Sequence, residues 1–421
     1  MKRSKVIPGK DVYACSAEAP SLRMPVMSLT QSFQGIKVVD FSQGVAGPMC
    51  GLQLAQYGAD VLKIEPVGEG DWGRGLGPRY GHFSALAVAV NRGKRSLAVD
   101  LKNPKGKEIV MKLVRNADVI SENYRAGVME RLGFDEASVR AVNPSIIYLT
   151  VEGFGKDGPY GDRPATDSIM QGYTGFMNIN RDKDGTPKLM LPYLTDYVTG
   201  LYAFQAVSAA LFKRARTGEG ETIRTSLLQA AAALQTTKMI DVHVEGAGDV
   251  SGGVPMGTFQ TQDGYMSINA RRDYQFKAFC KLIGREDMID DPRYSRVKAR
   301  FEHEEEVLKI VRDAVRQRPT AEWVELLTEA DILNAPVNTY DEFYEDPHIK
   351  AVQAYAWVEH DELGRIPMPR IPALPPVDPG DPMSHSPHVG EHTNAVLREL
   401  GYAASEISMM HEDGIIGVYE K

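Results

Sequence analysis

The sequence predicts an α/β fold with a parallel sheet covered by helices on both faces. Three observations predict it: short apolar runs of strand length, a helical pattern between successive runs, and glycine- or proline-marked turns at most junctions. The 421 residues could hold two or three average domains with a large buried core. A content of 43% hydrophobic and 25% charged residues is ordinary for a globular chain.

The regular pattern begins at Gly35. "IKVVDFS" (36–42) reads as a buried strand and "QGVAGP" (43–48) as a turn. "MCGLQLAQYG" (49–58) has helical spacing and ends on Gly58 as a C-cap; "DVLKIE" (60–65) returns as a strand and completes a β-α-β unit. "RSLAVDL" (95–101) is the next strand, and Asn103-Pro104 supplies the cap and first residue of a helix. "ADVISEN" (117–123), two short helical stretches and "SIIYLTVEGF" (145–154) follow.

After Asp167 come a helix, a loop rich in Asp and Lys (181–188), and a long apolar helix from about Thr195. The span Tyr197 to Phe212 has 16 residues without a charge; it is short for a membrane span and carries polar residues, so it reads as a core helix. "TGEGETIRTSLLQAAAALQ" (217–235) gives a turn, a strand and a helix. Near residue 245 the pattern changes to a Gly-rich loop and a hairpin with Asp263-Gly264 as its turn. Charge-rich helices run from 274 to 330, and "ILNAPVNTYDEF" (332–343) reads as a strand entering a loop. The Pro-rich stretch 366–389 reads as a surface crossover rather than an element, and Glu391 to Gly401 is helical.

The formal charge is 48 minus 56, or −8, which gives no electrostatic footprint for nucleic acid or an anionic membrane. Cys15, Cys50 and Cys280 build neither a disulfide framework nor a metal knuckle, so a reducing cytoplasm is expected. The basic N-terminus lacks the apolar core of a secretory signal, and residues 1–32 read as a mostly flexible extension.

Four places could carry chemistry. Gly44, Gly47 and Gly51 are spaced G-x-x-G-x-x-x-G rather than G-x-G-x-x-G, so dinucleotide binding is a weak signal even though Glu65 stands about where a ribose-binding acid would. Arg92, Lys94 and Arg95, with Arg74 upstream and Lys102 downstream, could hold a multiply phosphorylated ligand or form a solvated basic loop. His385, His388 and His392 with Glu391 lie in a Pro-bearing loop without the spacing of a helical metal motif, so no metal is expected. In "RPATDSIMQGYTG" (163–175), Ser168 with Gln171 fits a capping box, which leaves Asp167 just outside the positive end of a helix. Spacing alone leaves Asp167 open as a cap or as a nucleophile.

These residues resemble the family III CoA-transferases, the formyl-CoA and carnitine CoA-transferase group, from Gly35 to the C-terminus. The likeness rests on "VVDFSQGVAGPMCGLQLAQYGADVLKIEPVGEGD", "NRGKRSLAVDLKNPKGKEIV", "ADVISENYRAGVMERLGF", "PATDSIMQGYTG", "RTGEGETIRTSL", "DPHIKA" and "GEHTNAVLRELGY", in that order. The resemblance implies a Rossmann-like large domain built from both ends of the chain, an inserted smaller α+β domain and an interlocked homodimer. Applied here it divides the chain into an extension (1–32), the first part of the large domain (33–220), a linker helix (221–245), the small domain (246–335), a return linker (336–390) and the C-terminal part of the large domain (391–421).

The resemblance also implies a reaction. CoA moves from an acyl-CoA donor to a free carboxylic acid, with coenzyme A as cosubstrate and no permanently bound cofactor. Asp167 is implied as the nucleophile, forming a mixed anhydride and then an aspartyl-CoA thioester. Val45 and Ala46 are implied near the thioester; Arg74, Arg92, Lys94, Arg95 and Lys102 near the CoA phosphates and adenine; and Gly252 and Gly253 in a loop over the intermediate. Arg271 and Arg272 are candidate grips for a second substrate carboxylate or surface charges. Two departures stand out: the small domain lacks a run of four glycines, and valine occupies position 45 where formyl-CoA transferase has glutamine. A 2-methylacyl-CoA racemase of the same fold is the alternative. It uses a His beside the aspartate, whereas Thr166 stands here and no His lies between His82 and His243. An NAD-dependent oxidoreductase is a further alternative.

Overall fold

A computed structural model describes residues 28–182, 184–246 and 253–420. The sheet strands are β1 (Lys37–Asp40), β2 (Asp60–Glu65), β3 (Arg95–Val99), β4 (Val119–Glu122), β5 (Ile147–Glu152) and β6 (Glu221–Ser226). They lie side by side in the order β3-β2-β1-β4-β5-β6, all parallel, with Val38 beside Val61 on one side and Val119 on the other. Ile416–Gly417, near the C-terminus, adds an antiparallel strand outside β3. This is the strand order of a doubly wound α/β sheet, in which the connection reverses direction between β1 and β4.

Both faces of the sheet are covered, which is why its strands read as nearly continuous apolar runs. Val39, Leu62, Ile64 and Leu97 point to one side, where Ile109, Val110 and the C-terminal Val396, Leu397 and Ile407 meet them. Val38, Val61, Val119 and Ile147 point to the other and pack on α1 (Ala46–Gln56) and α2 (Leu194–Thr217) through Leu54, Ala203 and Val207. Asn103 caps the helix Pro104–Val114 by accepting from the Lys105 N–H, as its sequence predicts. The long apolar helix is buried on one face, and among the described residues no helix is long and apolar enough to cross a membrane.

A second core lies in the later sequence. Met256–Gln260, Tyr265–Asn269 and Leu333–Pro336 form a three-stranded antiparallel sheet against the helices Asp273–Leu282, Glu304–Val315 and Thr320–Glu329. Phe259, Ile268, Phe276, Phe279 and Trp323 fill it.

Two sequence-based expectations need correction. Part of the proline-rich stretch is not a crossover: Gly364–Pro369 pairs antiparallel with Tyr355–His360, and Val358 and Met368 pack on Phe83, Ala87 and Val88. Prolines 367 and 369 obscured the alternation, and a two-stranded ribbon tolerates them at its free edges. The segment read as a loop after the 332–336 strand holds the helix Tyr340–Glu345, closed by a Thr339/Glu342 capping box present in the sequence as "TYDE". Residues 1–27 of the expected extension lie outside the described residues; its remainder forms the single turn Leu29–Gln31.

Candidate active site

At the carboxyl ends of β1, β4 and β5 a cavity of about 1040 Å³ opens where the connection reverses. Open α/β sheets bind their ligands at this position. Val45 and Ala46 enter from the turn after β1, Asn123 and Tyr124 from the turn after β4, and Thr166 and Asp196 from further along the chain.

The turn after β1 is held from beneath by buried charge. Lys63 Nζ lies 2.8 Å from Asp71 Oδ2 and donates to Ser42 O at 2.7 Å, while Asp71 Oδ1 accepts from the Gly44 N–H at 2.9 Å. Asp40 Oδ2 accepts from Lys94 Nζ at 3.0 Å, and its Oδ1 accepts from the Ser42 N–H and Ser121 Oγ. Burial alone would raise the Asp40 carboxyl, but Lys94 and Lys63 hold it below the usual range. Burial pushes Lys94 down to about 8.

Helix α2 carries Asp196 in its first turn and crosses directly over the first turn of α1. Gly200, one turn beyond Asp196, makes that approach possible: a Cβ there would stand 2.6 Å from Met49 Cβ and 2.7 Å from Ala46 O. Two helix N-termini therefore meet at the cavity; neither N-cap residue bonds back with its own side chain, and in α2 the Thr195 N–H is taken by Asp167. Their first-turn N–H groups have no intrahelical acceptor and point a positive end at the space between them.

Two aspartates lie at this junction in different states. Asp167 is 5% exposed, and its carboxylate accepts from the Thr195 N–H (2.7 Å), Thr195 Oγ1 (2.8 Å) and Gln171 Nε2 (2.7 Å). Asp196 is half-buried on the cavity wall. Burial, reinforced by the charge of Asp167, pushes the Asp196 carboxyl up to about 7.

This arrangement corrects the capping pattern expected around Asp167. The helix Asp167–Tyr173 begins at the aspartate itself, because the Met170 N–H already bonds to Thr166 O. Ser168 is therefore no N-cap, and Gln171 does not complete a box with it but reaches Asp167 and Met190 O. The side chain expected to stand free is held by three donors. Asp196 was missed, although "LTDYVTG" places an acid at the mouth of a helix by the same criterion that singled out Asp167. What the sequence lacked was the crossing at Gly200 that turns this acid into the cavity.

The expected phosphate-holding cluster does not come together. Arg74 is buried on Glu65 (2.7 Å), Lys94 is spent on Asp40, and Arg95 pairs with Asp60 and Glu399 on the surface. Arg92 is buried and donates to Pro369 O. Lys102 alone of the five is exposed; it lines a smaller cavity that shares Tyr124 with the large one. The large cavity instead carries Arg125, Arg140, Lys156, Arg163 and Arg224. Glu65, placed where a ribose-binding acid would be, is 1% exposed and bonded to Arg74 and Ser96, so it presents nothing to a nucleotide.

Gly252 lies outside the described residues. Gly253 has φ +109° beside Arg271; neither Gly253 nor the exposed Arg271 and Arg272 lines the cavity of this chain. Among the loop histidines, His385 pairs with Glu391, whereas His392 accepts from the Ser96 N–H. No histidine is among the described residues that line the cavity.

The sequence model of CoA-transferase family III matches residues 33–393. A succinate–glutarate CoA-transferase of Agrobacterium fabrum is 34% identical over 384 residues, covering 87% of this chain and 95% of that protein. The human succinyl-CoA:glutarate CoA-transferase is 29% identical, covering 94% and 92% respectively. The crystal structure of a CAIB/BAIF family protein from Brucella suis superposes with a TM-score of 0.77 at 30% identity, covering 87% of this chain and 99% of that one.

Proposed function

The chain belongs to CoA-transferase family III and is a CoA-transferase, and on that premise we propose that it moves CoA between carboxylic acids through covalent intermediates on Asp196. The observation that carries this reading is the placement of Asp196. It lines the cavity together with Val45 and Ala46 and is held by no hydrogen-bond donor among the described side chains, and burial beside Asp167 pushes its carboxyl up to about 7.

In the first step an Asp196 oxygen attacks the donor thioester carbonyl. The tetrahedral intermediate collapses by breaking the C–S bond, which gives a mixed anhydride and CoA thiolate. The thiolate then attacks the Asp196 carbonyl, expelling the donor acid as its carboxylate and leaving an aspartyl-CoA thioester. The acceptor carboxylate attacks that carbonyl and displaces the thiolate, which finally attacks the acceptor carbonyl. Acceptor acyl-CoA forms and the Asp196 carboxylate returns. No net proton is taken up or released.

A carboxylate pushed up this far by burial is more basic than an ordinary aspartate and is still ionised in part at neutral pH. The first-turn N–H groups of α1, at Ala46 and Gly47, supply donors for the oxyanions that develop beside it. Asp167, fixed by Thr195 and Gln171, acts as a positioning residue: its bond to the Thr195 N–H holds the turn that carries Asp196. The relatives' named substrates make succinyl-CoA and glutarate the first pair to assay.

The variants separate the two aspartates. Asp196→Asn is expected to lower transfer by at least about 10³-fold while CoA still raises the melting temperature. Asp167→Asn is expected to lower it by about 10²-fold through misplacement. The reverse ranking in steady-state assays would return the nucleophile to Asp167.

A further inference from the structure

We propose that His82, Glu362 and His388 form a zinc-class metal site that pins the tip of the 355–369 hairpin to the large sheet's periphery. One ligand atom from each lies within 4.8 Å of the other two. His82 comes from the turn before Phe83–Ser84, Glu362 from the hairpin tip and His388 from the segment leading to the helix Thr393–Glu399. None of them belongs to the CoA-transfer cavity.

The geometry around His388 argues for a cation. The ring is 3% exposed, stacked on Tyr419 at 3.9 Å between centroids and met edge-on by Phe83 at 4.6 Å, so its orientation is fixed. Its Nε2 lies 3.0 Å from Asp361 Oδ2. A carboxylate only accepts, so Nε2 carries a proton and Nδ1 is the ring nitrogen turned toward Glu362 and His82. That Nδ1 is buried without a hydrogen-bond partner and faces Glu362 Oε1 at 3.7 Å, too far for a hydrogen bond even if it were protonated. A buried ring nitrogen thus faces a carboxylate oxygen with no hydrogen bond between them.

His82 Nδ1 completes the group, 2.6 Å from the same Glu362 oxygen. A tetrahedral zinc with bonds of about 2.0–2.2 Å separates its ligands by about 3.3 Å, so sub-ångström to ångström adjustments of the exposed His82 and of Glu362 accommodate it. His360 Nδ1 accepts the Glu362 and Leu363 N–H groups at 3.2 and 3.3 Å, which fixes the tip that presents Glu362. Asp361 on the far nitrogen of His388 is the outer carboxylate that zinc-ligating histidines usually carry. Two imidazoles and one carboxylate suit zinc, with water in the fourth position on the exposed His82 side.

The test uses the full-length protein, stripped with chelator, desalted, loaded with zinc and desalted again. One zinc per chain is expected by mass spectrometry, with a rise in melting temperature, and cobalt in its place should give the visible bands of a four-coordinate ion. His82→Ala, an exposed substitution, should lose both the metal and the thermal shift, as should Glu362→Gln. His348→Ala, an exposed histidine elsewhere, should keep both. A wild-type chain that retains no zinc, or equal retention by His82→Ala and Glu362→Gln, overturns the site.

Discussion

At the scale of single residues the account turns on two carboxylates that share a helix junction and differ in their partners. Asp167 accepts three hydrogen bonds; Asp196 accepts none among the described side chains, and burial beside Asp167 raises its pKa from 3.8 to about 7. Attack requires the ionised form. The donor kcat/KM should therefore fall about tenfold per pH unit below 7 and level off above it. The same shift has a sign in stability: the folded state holds a proton that the unfolded chain releases near 3.8, so this group weakens the fold as pH rises from about 4 to 7. Asp196→Asn should accordingly melt higher than wild type at pH 8 and equally at pH 3.5, while losing the pH-dependent limb of activity. A profile that keeps its inflection near 7 in Asp167→Asn and loses it in no Asp196 variant would contradict the assignment. An acid at a helix mouth was legible from sequence at 167, but which of two such acids faces a cavity is decided by packing between segments 150 residues apart in the chain.

At the scale of elements the decisive contact is the crossing of α1 and α2 at Gly200. Gly200→Val would place a branched side chain against Met49 Cβ and Ala46 O. Overpacking of this kind costs about 1–3 kcal/mol and would move Asp196 away from Val45 and Ala46, so the variant should lose stability and most activity together. Gly200→Ala should show a smaller loss of both in thermal melts and transfer assays, and unchanged kcat for the valine variant would show that the crossing does not position the site. The third glycine of the first turn has a similar origin. A Cβ at Gly51 would stand 2.7 Å from Asp40 Oδ2 and 2.9 Å from Lys94 Nζ, so this glycine leaves room for a buried ion pair rather than for a pyrophosphate. The basic residues of "NRGKRS" look like a ligand cluster in sequence because spacing along a strand does not reveal which cations already have a carboxylate beneath them.

At the scale of the whole molecule the β-α-β rhythm was legible because the sheet is buried on both faces, and the strands from Lys37–Asp40 to Ile147–Glu152 therefore carry apolar runs, whereas the edge strand Glu221–Ser226 offers only Ile223. The strand Ile416–Gly417 was not legible: two residues paired with Ala98 and Val99 leave no periodicity to read. The cavity lies where the strand order 3-2-1-4-5-6 reverses, and every group the proposed chemistry needs is delivered to that point by a turn after β1, a turn after β4 or the first turn of α2. The most direct measurement is chemical trapping. Enzyme incubated with succinyl-CoA alone is quenched with hydroxylamine, digested, and the modified peptide is located by tandem mass spectrometry. A hydroxamate on Asp196, absent without acyl-CoA, is the predicted result; a hydroxamate on Asp167, or turnover with no enzyme-bound acyl group at either aspartate, would contradict it.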